Sequence, residues 1–231
     1  MPKFISIEEA VKLIPDGASV MFGGFMGCGN AHKFIDALSK SGVKNLTMIC
    51  NDGGMPGGPM GEEFYGVAKL IHNHQVSRMI ATHVGLNPEV GIQSFEGTLD
   101  TILVPQGSFV EMIRAGGAGL GGVLTPTGVG TIIEDSPLCL GKQTIHGKDY
   151  LLMTPIHADF AVISGYKIDR AGNVWYKGDT SNFSISMATA ADTVIAEAEM
   201  IVALGEIAKE DVRTQGILVD YVVEGGLYQR G

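Results

Sequence analysis

The sequence predicts a parallel α/β sheet, and three observations carry that prediction. Short apolar runs rich in Val, Ile and Met alternate with segments of helical period. Apolar residues make up 45% of the 231 residues and charged residues 18%, a composition that buries a sizeable core and excludes disorder over most of the length. Glycine is the anomaly: 33 residues, roughly twice ordinary usage, clustered between the apolar runs with no Gly-X-Y period. Such clusters make tight turns or backbone-lined pockets. The length fits a single domain over residues 1–224, with a frayed end at 225–231 beginning near Gly225 and Gly226.

Each element has a local reason. Ser6 and Glu9 form a capping box, and Ile7, Val11 and Ile14 give the following helix an apolar stripe that Pro15, Asp16 and Gly17 stop. Residues 18–22 read as a strand. The turn Gly23-Gly24-Phe25-Met26-Gly27-Cys28-Gly29 follows, and Asn30 offers an N-cap for a helix carrying Phe34, Ile35 and Leu38 on one face. Residues 45–50 are a second strand; residues 51–61, with five Gly and two Pro, continue neither helix nor strand. Residues 62–72 read as helix and 76–82 as strand. Asn87 and Pro88 are an N-cap followed by a proline at the first helical position. Residues 100–104 read as a buried strand, and Ser108 with Glu111 as a capping box ahead of Met112 and Ile113. Residues 116–130 hold seven glycines and no periodicity. Beyond them come candidate strands at 160–164, 173–176, 193–197 and 217–223, with a hairpin turn at 169–172.

Composition excludes several functions. The net charge is −9 and no Lys/Arg run exists, so a nucleic-acid surface is not expected. Any phosphate-bearing ligand needs local cations or a partner's surface. Cys28, Cys50 and Cys139 have no zinc spacing and leave an odd thiol, which fits a reducing cytoplasm. The N-terminal residues lack a signal peptide's apolar core, and no run of about 18 apolar residues provides a membrane span.

A glycine-rich turn between a strand and a helix has unpaired backbone N–H groups at the positive end of the helix dipole, suited to a phosphate or a developing oxyanion. Residues 18–38 have that layout; close strand–helix packing explains it equally well. Gly117, Gly119 and Gly122 match G-x-G-x-x-G, but a helix-like segment precedes them and Val123-Leu124-Thr125-Pro126 follows where a helix should open, so a dinucleotide site is not expected. No phosphate-binding G-x-x-x-x-G-K-[ST] loop and no G-x-S-x-G elbow occurs. His72, His74 and His83 do not have a zinc spacing, and no metal is expected. Cys28 sits where a helix N-terminus could lower a thiol pKa, yet it has no evident partner base. Glu9 and Glu111 read as capping partners; Glu62, Glu63, Glu206 and Glu210 as solvated; Glu134 is the least explained. No convincing nucleophile emerges.

The stretch Asp16-Gly17, Val20-Met21-Phe22-Gly23-Gly24-Phe25 and Gly29 closely resembles the signature of family I coenzyme A transferases, in the alpha subunit. Leu103-Val104-Pro105-Gln106-Gly107, Arg114-Ala115-Gly116-Gly117-Ala118-Gly119-Leu120, Thr125-Pro126-Thr127-Gly128-Val129-Gly130-Thr131, Asp169 with Gly172-Asn173, and Asn182-Phe183 fit the same family and cover most of residues 5–224. The nearest resemblance is to bacterial acetate, acetoacetate or butyrate–acetoacetate CoA-transferase alpha subunits. Ala31 stands where the family usually has Pro.

The resemblance implies an open, mostly parallel sheet with helices on both faces, of the NagB/RpiA-like kind. It implies ping-pong transfer of CoA between a short-chain acyl-CoA and a carboxylic acid. The nucleophile is then a glutamate in a Ser-Glu-Asn-Gly motif of a beta subunit, a motif this chain lacks. CoA is a substrate and no tightly bound cofactor is implied. Gly23, Gly24, Phe25, Met26, Gly27, Cys28 and Gly29 would wall the CoA and acyl site, with the N–H groups of Gly24 and Phe25 as oxyanion donors. Gly116, Gly117, Ala118 and Gly119, with 125–128, would complete the substrate-facing surface. Met26 and Cys28 would line the acyl pocket. Rival readings are a non-catalytic acyl-CoA binding module and a sugar-phosphate isomerase on a related fold.

Overall fold

The computed structural model describes residues 1–227. The chain opens with β1 (Lys3–Phe4) and α1 (Ile7–Val11), where Ser6 Oγ accepts from the Glu9 N–H at 3.1 Å and the Glu9 carboxylate accepts from the Ser6 N–H at 2.9 Å. These bonds hold the Glu9 carboxyl below its usual range. Then follow β2 (Ser19–Phe22), α2 (His32–Ser39) and β3 (Leu46–Cys50). Next come β4 (Met55–Pro56), β5 (Phe64–Tyr65), α3 (Ala68–His72), β6 (Val76–Ala81), α4 (Pro88–Phe95), β7 (Asp100–Leu103) and α5 (Gln106–Gly117). The second half contains β8 (Val123–Thr125), β9 (Cys139–Ile145), β10 (Lys148–Met153), β11 (Ala158–Asp169), β12 (Val174–Trp175), α6 (Ser184–Met187), β13 (Ala191–Val202) and β14 (Tyr221–Glu224).

The main sheet runs β1-β14-β13-β11-β2-β3-β6-β7 with every one of these pairings parallel; β12 adds antiparallel to β11 through the Asp169 hairpin. Asp169 Oδ1 accepts from the N–H groups of Ala171 and Asn173, which fixes that turn. Side chains alternate between two cores. Val20, Phe22, Met48 and Ile195 face α1 to α4, whereas Met21, Ile49, Ala161 and Ala196 face α5 and α6. Each large apolar side chain so buried stabilises the fold by about 1.5–3 kcal/mol.

The order has one consequence for function. From β2 the chain moves outward through β3, β6 and β7, then returns to β11 on β2's other side and continues outward through β13 and β14. The crevice at the C-terminal ends of β2 and β11 is therefore the topological switch point, where open α/β sheets bind ligands.

Several local expectations need correction. Asn30 does not cap α2: Ala31 occupies the cap position with no side-chain bond, and the buried Asn30 donates to the Gly23 carbonyl at 2.6 Å. Residues 51–61 do contribute a strand, because Met55 and Pro56 pair with β5. That pairing, and Gly66 at φ +59°, delay helix α3 to Ala68. The segment at 100–104 is the sheet's edge strand and only Val104 is buried. Ser108 and Glu111 form no capping box, because α5 starts earlier, at Gln106; Ser108 Oγ reaches Thr125 Oγ1 at 3.3 Å and Glu111 pairs with Arg114 one turn on. The aperiodic region beyond α5 hides a three-stranded antiparallel sheet, β8-β10-β9. In the 217–223 segment the strand begins only at Tyr221, after a 3-10 turn. Gly225 and Gly226 both donate to Ala198 O; residues 228–231 of the expected frayed end lie outside the described residues. Among the described residues no helix is long and apolar enough to cross a membrane.

Candidate functional site

The loop between β2 and α2 is a two-residue hairpin turn. Phe25 N–H donates to Cys28 O at 3.0 Å and Cys28 N–H returns to Phe25 O at 2.9 Å. The central residues, Met26 at φ +51° and Gly27 at φ +80°, both have positive φ, as a primed turn requires. Methionine is costly there by about 1 kcal/mol. A side chain at Gly27 would also meet the Tyr65 ring, its Cβ falling 1.8 Å from Cε1, so this position admits only glycine.

Three side chains from three other elements stake the loop. Asn182, ahead of α6, accepts from Gly24 N–H at 2.9 Å and donates to Cys28 O at 3.1 Å. Asp52, beyond β3, accepts from Met26 N–H at 2.7 Å and from Gly54 N–H at 2.9 Å. Glu197, on β13, accepts from Phe34 N–H at 2.7 Å and Lys33 N–H at 3.3 Å in the first turn of α2. Asp52 and Glu197 are buried, and burial lifts the Glu197 carboxyl from an ordinary 4.5 to about 7.

The amides expected to receive an oxyanion are thus committed within the protein: Gly24 to Asn182, Phe25 to Cys28. Among the described residues the N–H groups of Gly27 and Gly29 have no acceptor. Both glycines line a cavity of about 740 Å³ at the switch point. Cys28 is among its lining residues and Met26 is not. The remaining wall includes Ser164 and Tyr166 of β11, Lys177 and Thr180, and the carboxylates Asp179 and Glu199. Lys177 is the one Lys or Arg among these lining residues; its Nζ sits 4.7 Å from the Tyr166 ring centroid.

His32 closes the loop side. Its Nε2 lies 2.8 Å from Gly27 O and its ring stacks on Tyr65 at 4.7 Å. Burial pushes its pKa below the ordinary value, so the ring is neutral at pH 7. A carbonyl only accepts, which places the proton on Nε2. A second polar cluster joins the ends of β3 and β6 to α5: Thr82 Oγ1 and the Gln106 side chain both donate to Asn51 Oδ1 at 2.9 Å.

The other glycine cluster lies elsewhere. Gly116 and Gly117 end α5, and Ala118 and Gly119 follow. A Cβ at Gly116 would fall 1.9 Å from Ile156 O, ahead of β11, and one at Gly117 would fall 2.7 Å from Thr189 O, ahead of β13. These glycines therefore sit at the N-terminal ends of the strands, across the sheet from the cavity. Glu134 is engaged locally: it accepts from Gly130 N–H at 2.7 Å, which holds its carboxyl low, with Lys142 at 3.5 Å. His72 pairs with Glu89 at 2.9 Å and stacks on Phe64.

The sequence reading missed Asp52, Glu197, His32 and Tyr65. A partial signal existed for Asp52, which lies two residues beyond a strand's C-terminal end. Glu197 interrupts an apolar strand, the kind of buried carboxyl that needs a specific partner.

Residues 4–225 match the Coenzyme A transferase family. The chain is 46% identical over 222 residues to the acetoacetyl-CoA:acetate/butyrate CoA transferase alpha subunit of Clostridium acetobutylicum, covering 96% of this chain and 97% of that one. It is 40% identical over 223 residues to the acetate CoA-transferase subunit alpha of Escherichia coli K12, covering 96% of each. Among solved structures it superposes with a TM-score of 0.84 at 22% identity on an acyl-CoA transferase from E. coli O157:H7, in a thioester complex with CoA; 99% of this chain covers 50% of that one. The chain belongs to the coenzyme A transferase family.

Proposed function

We propose that this coenzyme A transferase chain is the alpha subunit of a two-subunit enzyme that moves CoA between a short-chain acyl-CoA and a carboxylic acid. The observation that carries the reading is the staked loop: among the described residues Gly27 and Gly29 have unpaired N–H groups beside the switch-point cavity, while the adjacent buried carboxylates, Asp52 and Glu197, are occupied as acceptors. A carboxylate already accepting two amide N–H bonds is a poor nucleophile. The attacking glutamate is accordingly assigned to a beta subunit, as the absence of a Ser-Glu-Asn-Gly motif here implies.

In this scheme the partner's carboxylate attacks the thioester carbonyl, CoA thiolate leaves, and the mixed anhydride is converted by the returning thiolate to a glutamyl-CoA thioester. That step releases the donor's carboxylate; the acceptor's carboxylate then attacks the glutamyl thioester and expels CoA thiolate, which takes the acceptor's acyl group from the new mixed anhydride and regenerates the glutamate. The 23–29 loop receives the negative charge on the carbonyl oxygen. Gly27 and Gly29 replace Gly24 and Phe25 as its donors, because donation by the latter pair requires Asn182 and Cys28 to release them. One such donor contributes about 2.7–4 kcal/mol of barrier lowering. With Lys177 the one Lys or Arg among the described cavity-lining residues, this scheme has the phosphates of CoA draw further cations from the partner.

The test is reconstitution. The chain alone transfers no CoA, and the complex with the beta subunit transfers it between acetyl-CoA or butyryl-CoA and acetoacetate. Mass spectrometry after acyl-CoA treatment finds the CoA adduct on the partner. An adduct on this chain, mapping to Asp179 or Glu199 on the cavity wall, would overturn the assignment. Binding of acyl-CoA without turnover in any complex would replace the enzyme by a binding module.

A further inference from the structure

Helix α2 starts at the point where the loop must be held still, and its own sequence gives it no cap. Ala31 has no side-chain hydrogen bond to offer, and Asn30 is turned back to Gly23. Two first-turn N–H groups are satisfied instead by Glu197, 163 residues further along the chain for the shorter bond. Building on the transferase reading, we infer that Glu197 is a positioning residue: it supplies from β13 the cap that α2 lacks and thereby fixes Gly27 to Ala31 for transfer.

The surroundings are built for this. Ile195 precedes Glu197 on the same face and belongs to the apolar core, so burial alone calls for another aliphatic residue. Glu197 is 5% exposed, and both its oxygens face amide donors of one helix. Ser164, its register partner on β11, lines the cavity, as does Glu199 two residues on. The carboxyl thus stands one sheet position behind the cavity wall. The C-terminal segment covers it: Gly225 lies so close that a Cβ there would fall 2.6 Å from Glu197 Cγ, and Gly225 and Gly226 are tied to Ala198 O. A side chain at 225 would displace the cap.

The charged groups that act on Glu197 are Asp36 and Lys33 of α2; Ser164, its register partner on β11, and residues 225–227 carry no charge, and Glu199 lies two residues on along its own strand. A carboxylate accepts from amides more strongly than a carboxylic acid does, so the cap tightens as Glu197 ionises near neutrality.

The experiment uses the alpha–beta complex with Glu197→Gln and Glu197→Ala. Expected for Glu197→Ala is a kcat at least tenfold lower per folded complex, with KM for acyl-CoA changed less than twofold, because the amides contact the reacting carbonyl. Glu197→Gln keeps the volume and one acceptor; it lowers kcat roughly threefold and removes the inflection of kcat near pH 7. Amide hydrogen exchange at residues 31–34 becomes at least tenfold faster in Glu197→Ala. Should Glu197→Ala fail to fold, Glu197→Gln decides. A Glu197→Gln complex with wild-type kcat and inflection, or unchanged exchange, overturns the proposal. A wild-type complex that transfers no CoA defeats the transferase reading instead, and the exchange measurement still reports on the cap.

Discussion

Two glycine clusters, 23–29 and 116–119, have similar composition and opposite uses. In the first, glycines permit a primed turn whose amides are selectively paired: Asn182, Asp52 and Glu197 hold Gly24, Met26 and the start of α2, and among the described residues Gly27 and Gly29 have no partner beside a cavity. In the second, Gly116 and Gly117 let a helix end pass against the backbone of Ile156 and Thr189 at the far end of the strands. Glycine content alone does not separate a reactive loop from a packing contact. The end of the sheet, and the side chains that reach the amides, do.

The largest effect should come from the packing cluster. Gly116→Ala puts a methyl group 1.9 Å from the Ile156 carbonyl, and backbone cannot rotate away as a side chain can. Denaturant melts should show a loss of about 3–4 kcal/mol, with kcat per folded molecule in the complex unchanged. A fall in kcat at unchanged stability would mean that this cluster faces substrate after all.

Next is a pH effect centred on the staked loop. The Glu197 carboxyl is raised in the fold to about 7 from an ordinary 4.5, so the folded chain holds a proton that the unfolded chain has released. The stability contribution is fully present below pH 4.5 and is lost as pH rises through 7, a change of about 3 kcal/mol. Glu197→Gln should flatten this segment of the stability–pH curve; an unchanged curve would remove Glu197 from the account.

The smallest effect tests the stake from the other side. Asn182→Ala frees the Gly24 amide and removes the bond to Cys28 O, which should raise the transfer barrier by about 2 kcal/mol, roughly thirtyfold in kcat. Stability should fall less than in Gly116→Ala. Wild-type kcat in Asn182→Ala would leave the loop held by Asp52 and Glu197 alone.

Much was legible in the residues themselves. The capping box at Ser6 and Glu9, the Asn87–Pro88 helix start and the Asp169 hairpin are local, since each bond spans only a few residues. The alternation of apolar runs gave the parallel sheet. Local rules failed where a distant group competed. Ser108 and Glu111 have the spacing of a capping box, yet Thr125 and Arg114 take their side chains. Asn30 has the chemistry of a cap, yet Gly23 claims it and Glu197 caps instead. The small antiparallel sheet was missed because Cys139–Ile145 carries Lys, Gln and Thr at exposed positions with no apolar run, and Lys148–Met153 has only the short run 150–153 behind Lys148 and Asp149.

By itself the sequence determined the family and the sheet, and it singled out the 23–29 loop, because motif spacing and apolar period are properties of neighbouring residues. It could not determine which amides in that loop are unpaired. That was decided by Asn182, Asp52 and Glu197, which the parallel pairing of β3, β2, β11 and β13 carries to one end of the sheet. A buried N–H must find an acceptor wherever the fold provides one, and only the assembled strands fix which groups come within reach.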